Sequence, residues 1–180
     1  GSNFGDAQRT TGGCNGLGAK LTNIFSRHFD VKTRYHSKIY AQTWSDNMQV
    51  CGKPSITKAE PVSSESLQAF KGTKVTFLPD YDFFGLQKED DSVQSFLLLR
   101  CIELAAMTKS VSMVFNNERI AVESLKDYAA MFIGSELPME HLRSEKWECV
   151  IAPRLRGMPR SISFVNGVPT TDGGTHVRQY

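Results

Sequence analysis

The 180 residues include 40% hydrophobic and 22% charged side chains, with a net charge of +2. That is apolar enough for a core of one domain or a domain and a half, and it excludes a chain disordered by composition. Basic and acidic residues nearly balance, which argues against a dedicated basic nucleic-acid module. The charge is unevenly spread: residues 1–60 carry a net +4, 61–142 a net −5 and 143–180 a net +3. Cys14, Cys51, Cys101 and Cys149 are too sparse for a disulfide-stapled domain and form no Cys-x-x-Cys pair, so a reducing compartment is expected. His28, His36, His141 and His176 show no metal-ligand spacing. With no signal-peptide pattern and no apolar run of membrane-spanning length, the pattern is that of a soluble intracellular piece with no membrane partner.

The first residues read as a loop already under way, and Gly1-Ser2 also fits an expression scar. Leu21, Ile24, Phe25 and Phe29 recur at helical spacing and predict a short amphipathic helix over 20–29. The alternation of Val31 to His36 and then of Ile39 to Trp44 predicts an antiparallel hairpin. Gly52, Pro54, Pro61 and a serine-rich stretch make 47–72 loop with room for an edge strand. Val75 to Leu78 reads as a strand stopped by Pro79-Asp80. From Asp91 to Met107 the chain is apolar nearly all round, the pattern of a buried helix. Ser110 to Phe115 predicts a strand, turning at Asn116-Asn117, and Ser124 with Asp127 an N-cap for a helix through Ile133. Trp147 to Ile151 and Ile162 to Val165 supply two more strands. Without regular βαβ alternation the class is α+β. The abrupt beginning and end suggest a fragment of a longer protein.

The most informative stretch is Thr11-Gly12-Gly13-Cys14-Asn15-Gly16-Leu17-Gly18-Ala19-Lys20, which runs into the predicted helix at Leu21. Glycines permit positive φ and close approach of backbone to a ligand. A helix start offers unpaired N–H groups and a positive dipole end, and Lys20 adds a full charge. Glycine loop, helix start and lysine together suit a triphosphate. The spacing fits neither a P-loop, since no glycine is followed by Lys and then Ser or Thr, nor the Gly-x-Gly-x-x-Gly dinucleotide fingerprint. Glycines alone favour a plain tight turn. Asn15, Lys20 and the amphipathic helix move the balance toward phosphate.

Elsewhere the plainer readings win. Asp90 and Asp91 suit a helix start, while Asp80, Asp82 and Glu89 read as solvated loop. Trp44 and Trp147 fit strand positions in a core. Tyr35, Tyr40, Tyr81, Tyr128 and Tyr180 read as structural. Arg154, Arg156 and Arg160 read as solvating a hairpin.

Gly12-Gly13-x-Asn15-Gly16-x-Gly18-Ala19-Lys20-Leu21, followed by Asn23-Ile24-Phe25-Ser26, resembles the ATP-binding loop and helix of eukaryotic-type type IIA DNA topoisomerases. Three more stretches match in the family's order. These are Gln42-Thr43-Trp44-x-Asp46-Asn47-Met48, Thr76-Phe77-x-Pro79-Asp80, and Ser163-Phe164-Val165-Asn166-Gly167 with Thr170-Thr171 and Gly173-Gly174-x-His176-Val177. The resemblance covers essentially the whole chain, more weakly at 47–72 and 134–145.

It implies a GHKL-type two-layer α/β sandwich, represented by its C-terminal part over 1–120, and the beginning of a transducer domain over 121–180. ATP would be held by Gly13, Cys14, Asn15, Gly16, Leu17, Gly18, Ala19 and Lys20, with Ser2 and Asn3 in the place of an upstream Ser-Asn pair. Cys14 stands where the family usually has Arg, and Leu17 where it usually has Tyr. The family's general-base Glu and magnesium-binding Asn lie upstream, and its transducer lysine and DNA-cleaving tyrosine lie downstream. The segment alone is therefore expected to be catalytically inactive. The intact protein would use ATP and Mg2+, act on DNA as a homodimer, pass one duplex through a transient break in another and reside in the nucleus. His176 falls in the transducer and takes a structural role. The alternatives are another GHKL ATPase, of mismatch-repair or chaperone type, and a degenerate non-hydrolysing dimerisation module. The Gln-Thr-Trp and Ser-Phe-Val-Asn-Gly stretches argue against the first. Cys14 and Leu17 are the support for the second.

Overall fold

The computed structural model describes residues 12–59, 71–87, 90–134, 136–153 and 161–178. They fall into two compact units, one within Gly13–Glu89 and the other within Asp90–Tyr180, with Gly12 belonging to the second.

The first unit opens with helix α1 (Gly18–Ile24) and continues as β1 (Ser26–Tyr35), β2 (Lys38–Ser45), β3 (Val50–Cys51), β4 (Ser55–Lys58), β5 (Gly72–Pro79) and the single turn α2 (Tyr81–Phe84). The strands form an antiparallel sheet in the order β3-β2-β1-β5, with β4 also paired to β2. The predicted hairpin is present, with Phe29 opposite Trp44 and Tyr35 opposite Lys38. Phe29 also faces Phe77 across β5. It is the best-buried aromatic in this unit, with its ring edge-on to Trp44 at a centroid distance of 6.0 Å.

The helix expected over 20–29 stops at Ile24, and Ser26 to Phe29 belong to β1. Two forces end it. The Ser26 hydroxyl donates back to the Thr22 carbonyl at 2.5 Å, the local bond by which serine competes with helix propagation. Strand pairing with β2 and β5 then claims the following backbone. The apolar spacing of Phe25 and Phe29 reflects a helix end and a strand start.

Where β1 pairs with β5 the register shifts between Ser26 and His28, so that Arg27 is the extra residue of a bulge. Such a bulge re-aims its side chain. After β2, Asp46, Asn47 and Met48 follow one another in left-handed conformation, with φ of 52°, 54° and 68°. That conformation costs a non-glycine residue roughly 1–2 kcal/mol, least for Asp and Asn, so the turn is held by its contacts.

The second unit contains α3 (Asp91–Met107), the hairpin β6 (Val114–Phe115) and β7 (Glu118–Arg119), α4 (Leu125–Ile133), the hairpin β8 (Glu140–Arg143) and β9 (Glu148–Ile151), the hairpin β10 (Phe164–Val165) and β11 (Val168–Pro169), and the short α5 (Thr175–Arg178). The cap predicted at Ser124 is made, and the helix start expected at Asp90-Asp91 is capped as well. The Asp90 carboxylate accepts from Ser92 N–H at 2.8 Å. Ser124 Oγ accepts from Asp127 N–H at 3.2 Å, while Asp127 accepts from Glu123 N–H at 3.1 Å. The turn predicted at Asn116-Asn117 adopts positive φ, and so does Asn166-Gly167 between β10 and β11.

Two expectations are corrected here. Helix α3 is not buried along its length: Phe96, Leu97, Leu98 and Leu99 are exposed and only Glu103, Ala105 and Ala106 are buried. Four consecutive apolar residues span more than a full helical turn and point to every side, and the buried residues of α3 all lie in its last two turns. Trp147 is not core either. It lies at the turn before β9, where its carbonyl accepts from Ser144 N–H at 2.8 Å, and its side chain is exposed.

Candidate functional site

The glycine loop is laid out from Gly12 to Leu17, and α1 begins at Gly18. Gly12 is a place where only glycine fits, because a Cβ there would lie 2.4 Å from Val168 Cγ2 and 3.3 Å from the Asn166 carbonyl oxygen. Gly13 and Gly18 face open space, with nothing within 4 Å of a built Cβ. Gly16 takes φ +66°, the left-handed turn that lets the chain enter the helix.

Leu17 is the N-cap and supplies no side-chain acceptor, and the first turn of α1 carries no acidic residue. The first helical bond is donated by Leu21 N–H to the Leu17 carbonyl at 2.8 Å. The N–H groups of Gly18, Ala19 and Lys20 consequently meet no acceptor among the described residues. Asn15 through Leu21 are exposed, and Cys14 is half-buried. The arrangement is a set of exposed backbone donors with one ammonium beside them, chemistry that favours an anion. The structure thus brings Gly13 to Lys20 together in one continuous turn and helix start. Ser2 and Asn3 lie outside the described residues, as do Glu89, Arg154, Arg156, Arg160 and Tyr180.

The other end of α1 is tied down. The Ile24 carbonyl accepts from Asn47 Nδ2 at 3.1 Å, and the Phe25 carbonyl accepts from Asp80 N–H at 2.9 Å. The second amide hydrogen of Asn47 goes to Asp80 Oδ2 at 3.0 Å. Asp80 Oδ1 accepts from Phe83 N–H at 3.2 Å, capping α2, and lies 3.2 Å from Arg27 Nε. Arg27 also reaches Asp46 at 3.6 Å. The Phe25 ring packs against Phe83 and Phe84 at centroid distances of 4.9 and 5.6 Å.

Asp80 is therefore no solvated loop residue. It is buried, at 5% exposure, because its carboxylate answers an N–H, an amide and a guanidinium that loop spacing alone does not reveal. Burial pushes its carboxyl up. The Asn47 amide, the Phe83 N–H and Arg27 together outweigh that and hold it below the ordinary carboxylate value. The Gln-Thr-Trp-x-Asp-Asn-Met and Thr-Phe-x-Pro-Asp stretches, far apart in sequence, thus meet through Asn47 and Asp80. Also on α1, Asn23 is buried and its Oδ1 meets no donor among the described residues.

In the second unit, Ser163 Oγ lies 2.5 Å from Thr170 Oγ1, which lies 3.3 Å from His176 Nε2. Thr170 N–H donates to the Ser163 carbonyl at 2.8 Å. These bonds tie the β10–β11 hairpin to α5. Buried Tyr128 has its hydroxyl pushed up by burial and by the Glu103 carboxylate, which is itself paired with Arg100 at 2.8 Å. Arg100 also donates to the Gly167 carbonyl at 2.6 Å. Among the described residues no cluster of His, Cys, Asp and Glu is arranged to hold a metal ion, and no helix is long and apolar enough to cross a membrane. Among the described residues Cys14, Cys51, Cys101 and Cys149 form no disulfide.

No protein-family model matches the sequence. DNA topoisomerase 2 of Drosophila melanogaster is 35% identical over 98% of this chain, which spans 12% of that protein. Human DNA topoisomerase 2-alpha is 34% identical over 96% of the chain and 11% of its own length. Among solved structures, the ATPase and transducer domains of DNA topoisomerase II from Balamuthia mandrillaris superpose with a TM-score of 0.84 at 34% identity, over 99% of this chain and 45% of that one. The B-subunit of DNA gyrase from Myxococcus xanthus matches with a TM-score of 0.58 at 19% identity, a likeness of α+β GHKL-type fold alone. Over the residues it spans, the chain belongs to the eukaryotic-type DNA topoisomerase II family, in the stretch that forms the ATPase and transducer domains of its relatives.

Proposed function

We propose that Gly13, Cys14, Asn15, Gly16, Leu17, Gly18, Ala19 and Lys20 hold the phosphates of ATP. One observation carries the reading: the N–H groups of Gly18, Ala19 and Lys20 lie in exposed residues and meet no acceptor among the described residues, at a helix start that has no acidic residue, in a chain 35% identical to a DNA topoisomerase 2. The donor set suits a polyanion. Backbone N–H groups supply directed hydrogen bonds, the glycines supply clearance, and Lys20 supplies charge. Ser2 and Asn3 complete the set in this reading.

The intact protein is then an ATP-dependent type II topoisomerase that works on DNA as a homodimer in the nucleus, passing one duplex through a transient break in another. ATP binding and hydrolysis supply the free energy for gate closure and reopening. The magnesium ligands, the general base and the DNA-cleaving tyrosine lie in parts of the protein beyond this segment. Residues 1–120 would be the C-terminal part of the ATPase domain and 121–180 the start of the transducer. This segment by itself would bind but not hydrolyse, so steady phosphate release by it, abolished by Lys20→Ala, contradicts that part of the reading.

The test is a titration of the full-length protein with ATP. Lys20→Ala should weaken binding by about tenfold to a hundredfold, the value of a hydrogen bond to a charged group, with the melting temperature unchanged. Equal affinity in the variant would remove Lys20 from the site. No binding by the unaltered protein would leave a dimerisation module, for which Cys14 and Leu17 are the sequence support.

A further inference from the structure

Helix α1 has seven residues, about 10 Å of rise and too little to stand alone in water. Its amino-terminal turn is exposed and uncapped. The hydrogen bonds that tie it to the rest of its unit lie at the opposite end. There the Ile24 carbonyl is held by the Asn47 amide, and the Asn47 amide is held by the buried Asp80 carboxylate. The turn that presents Asn47 consists of three successive left-handed residues without a glycine. Backbone in so sparsely populated a conformation persists only where surrounding contacts over-determine it. Here Asp46 N–H donates to the Arg27 carbonyl at 3.0 Å, Asn47 N–H to the Ser26 carbonyl at 3.0 Å, and Arg27 pairs with both Asp46 and Asp80.

We propose that Asn47 and Asp80 are positioning residues for nucleotide binding: by fixing the Ile24 carbonyl they aim α1, and with it the N–H groups of Gly18, Ala19 and Lys20, at the phosphates. The inference rests on the nucleotide-binding reading of the glycine loop and adds residues that touch no nucleotide. A donor set misplaced by about 1 Å loses much of its effect, and a tilt at the carboxy-terminal end of α1 displaces its amino-terminal end.

The geometry separates positioning from plain stability. In Asn47→Asp the new side chain tolerates the left-handed turn, but it has no donor for the Ile24 carbonyl and sets a second carboxylate against Asp80. In the double variant Asn47→Asp/Asp80→Asn, the amide at position 80 donates to the carboxylate at 47 and still accepts from Phe83 N–H. That exchange restores the link between the two turns without restoring the donor to Ile24.

The experiment is a titration of the full-length protein with a non-hydrolysable ATP analogue, with melting temperatures read in parallel for the unaltered protein, both variants and Lys20→Ala. The expected result is that the double variant recovers the melting temperature lost in Asn47→Asp while its affinity stays about tenfold down, the worth of one lost hydrogen bond in this setting. Recovery of affinity together with melting temperature, or unaltered affinity in Asn47→Asp, overturns the proposal. If Asn47→Asp fails to fold, the double variant alone decides it. Absence of binding by the unaltered protein overturns the nucleotide reading and this inference with it. Binding that responds to Lys20→Ala and ignores both Asn47 variants overturns the positioning role alone.

Discussion

At its amino-terminal end α1 has three backbone donors that meet no acceptor among the described residues, beside an exposed lysine, whereas at its carboxy-terminal end the carbonyls of Ile24 and Phe25 are both taken, by Asn47 and Asp80, and Phe25 packs against Phe83 and Phe84. Both ends face the same requirement, since every helix terminus exposes backbone groups that need partners. One end satisfies it internally, and the other, in the proposed reading, leaves it to the nucleotide. A segment that binds through its backbone needs such an asymmetry: the tied end fixes the geometry, and the open end keeps its hydrogen-bonding capacity.

The comparison breaks most sharply at Phe25. Phe25→Ala removes the ring contacts that seat the tied end, and roughly 2–3 kcal/mol of stability should go with them, toward the low end for a half-buried aromatic. Chemical denaturation of the full-length protein reads it as a lower midpoint at unchanged slope. The open end should respond in affinity instead. Cys14→Arg adds a guanidinium beside the proposed phosphate donors, and it should tighten ATP binding by about tenfold with no gain in melting temperature.

The smallest effect is one of pH, and it belongs to the tied end. The Asp80 carboxyl is held below its ordinary value, so its contribution is fully present above the unfolded value of about 3.9 and fades as pH falls through the folded value. An acid melting series should show Asp80→Asn closing its deficit against the unaltered protein below about pH 4. A deficit constant from neutral pH to below that value would assign the stabilisation to shape, not charge.

The hairpin from Ser26 to Ser45 was legible because its alternation survives in the pairing, with Phe29, Trp44 and Phe77 as cross-strand neighbours. The helix start at Asp90 and the cap at Ser124 were legible because both rest on residues two or three apart. Helix α1 was misread at its end because Phe25 and Phe29 keep helical spacing while strand pairing, a long-range effect, takes the backbone at Ser26. The short β8 went unpredicted because its alternation, Glu140 to Arg143, has no buried face to mark it.

At the site, glycine spacing and Lys20 announced the open end. Nothing local announced the tied one. Asp80 read as solvated loop after a strand and Asn47 as the start of a loop, and their meaning lies in a hydrogen bond between residues 33 positions apart. The available signal was indirect: two stretches recognisable by family resemblance, with no chemistry of their own to explain them.

The most direct measurement is amide hydrogen exchange of the full-length protein with and without a non-hydrolysable ATP analogue. The account predicts slowed exchange in peptides covering Gly16 to Lys20, whose amides then gain acceptors, with the already bonded amides of Asp46 and Asn47 unchanged. Exchange across Gly16 to Lys20 that is indifferent to saturating nucleotide would contradict it.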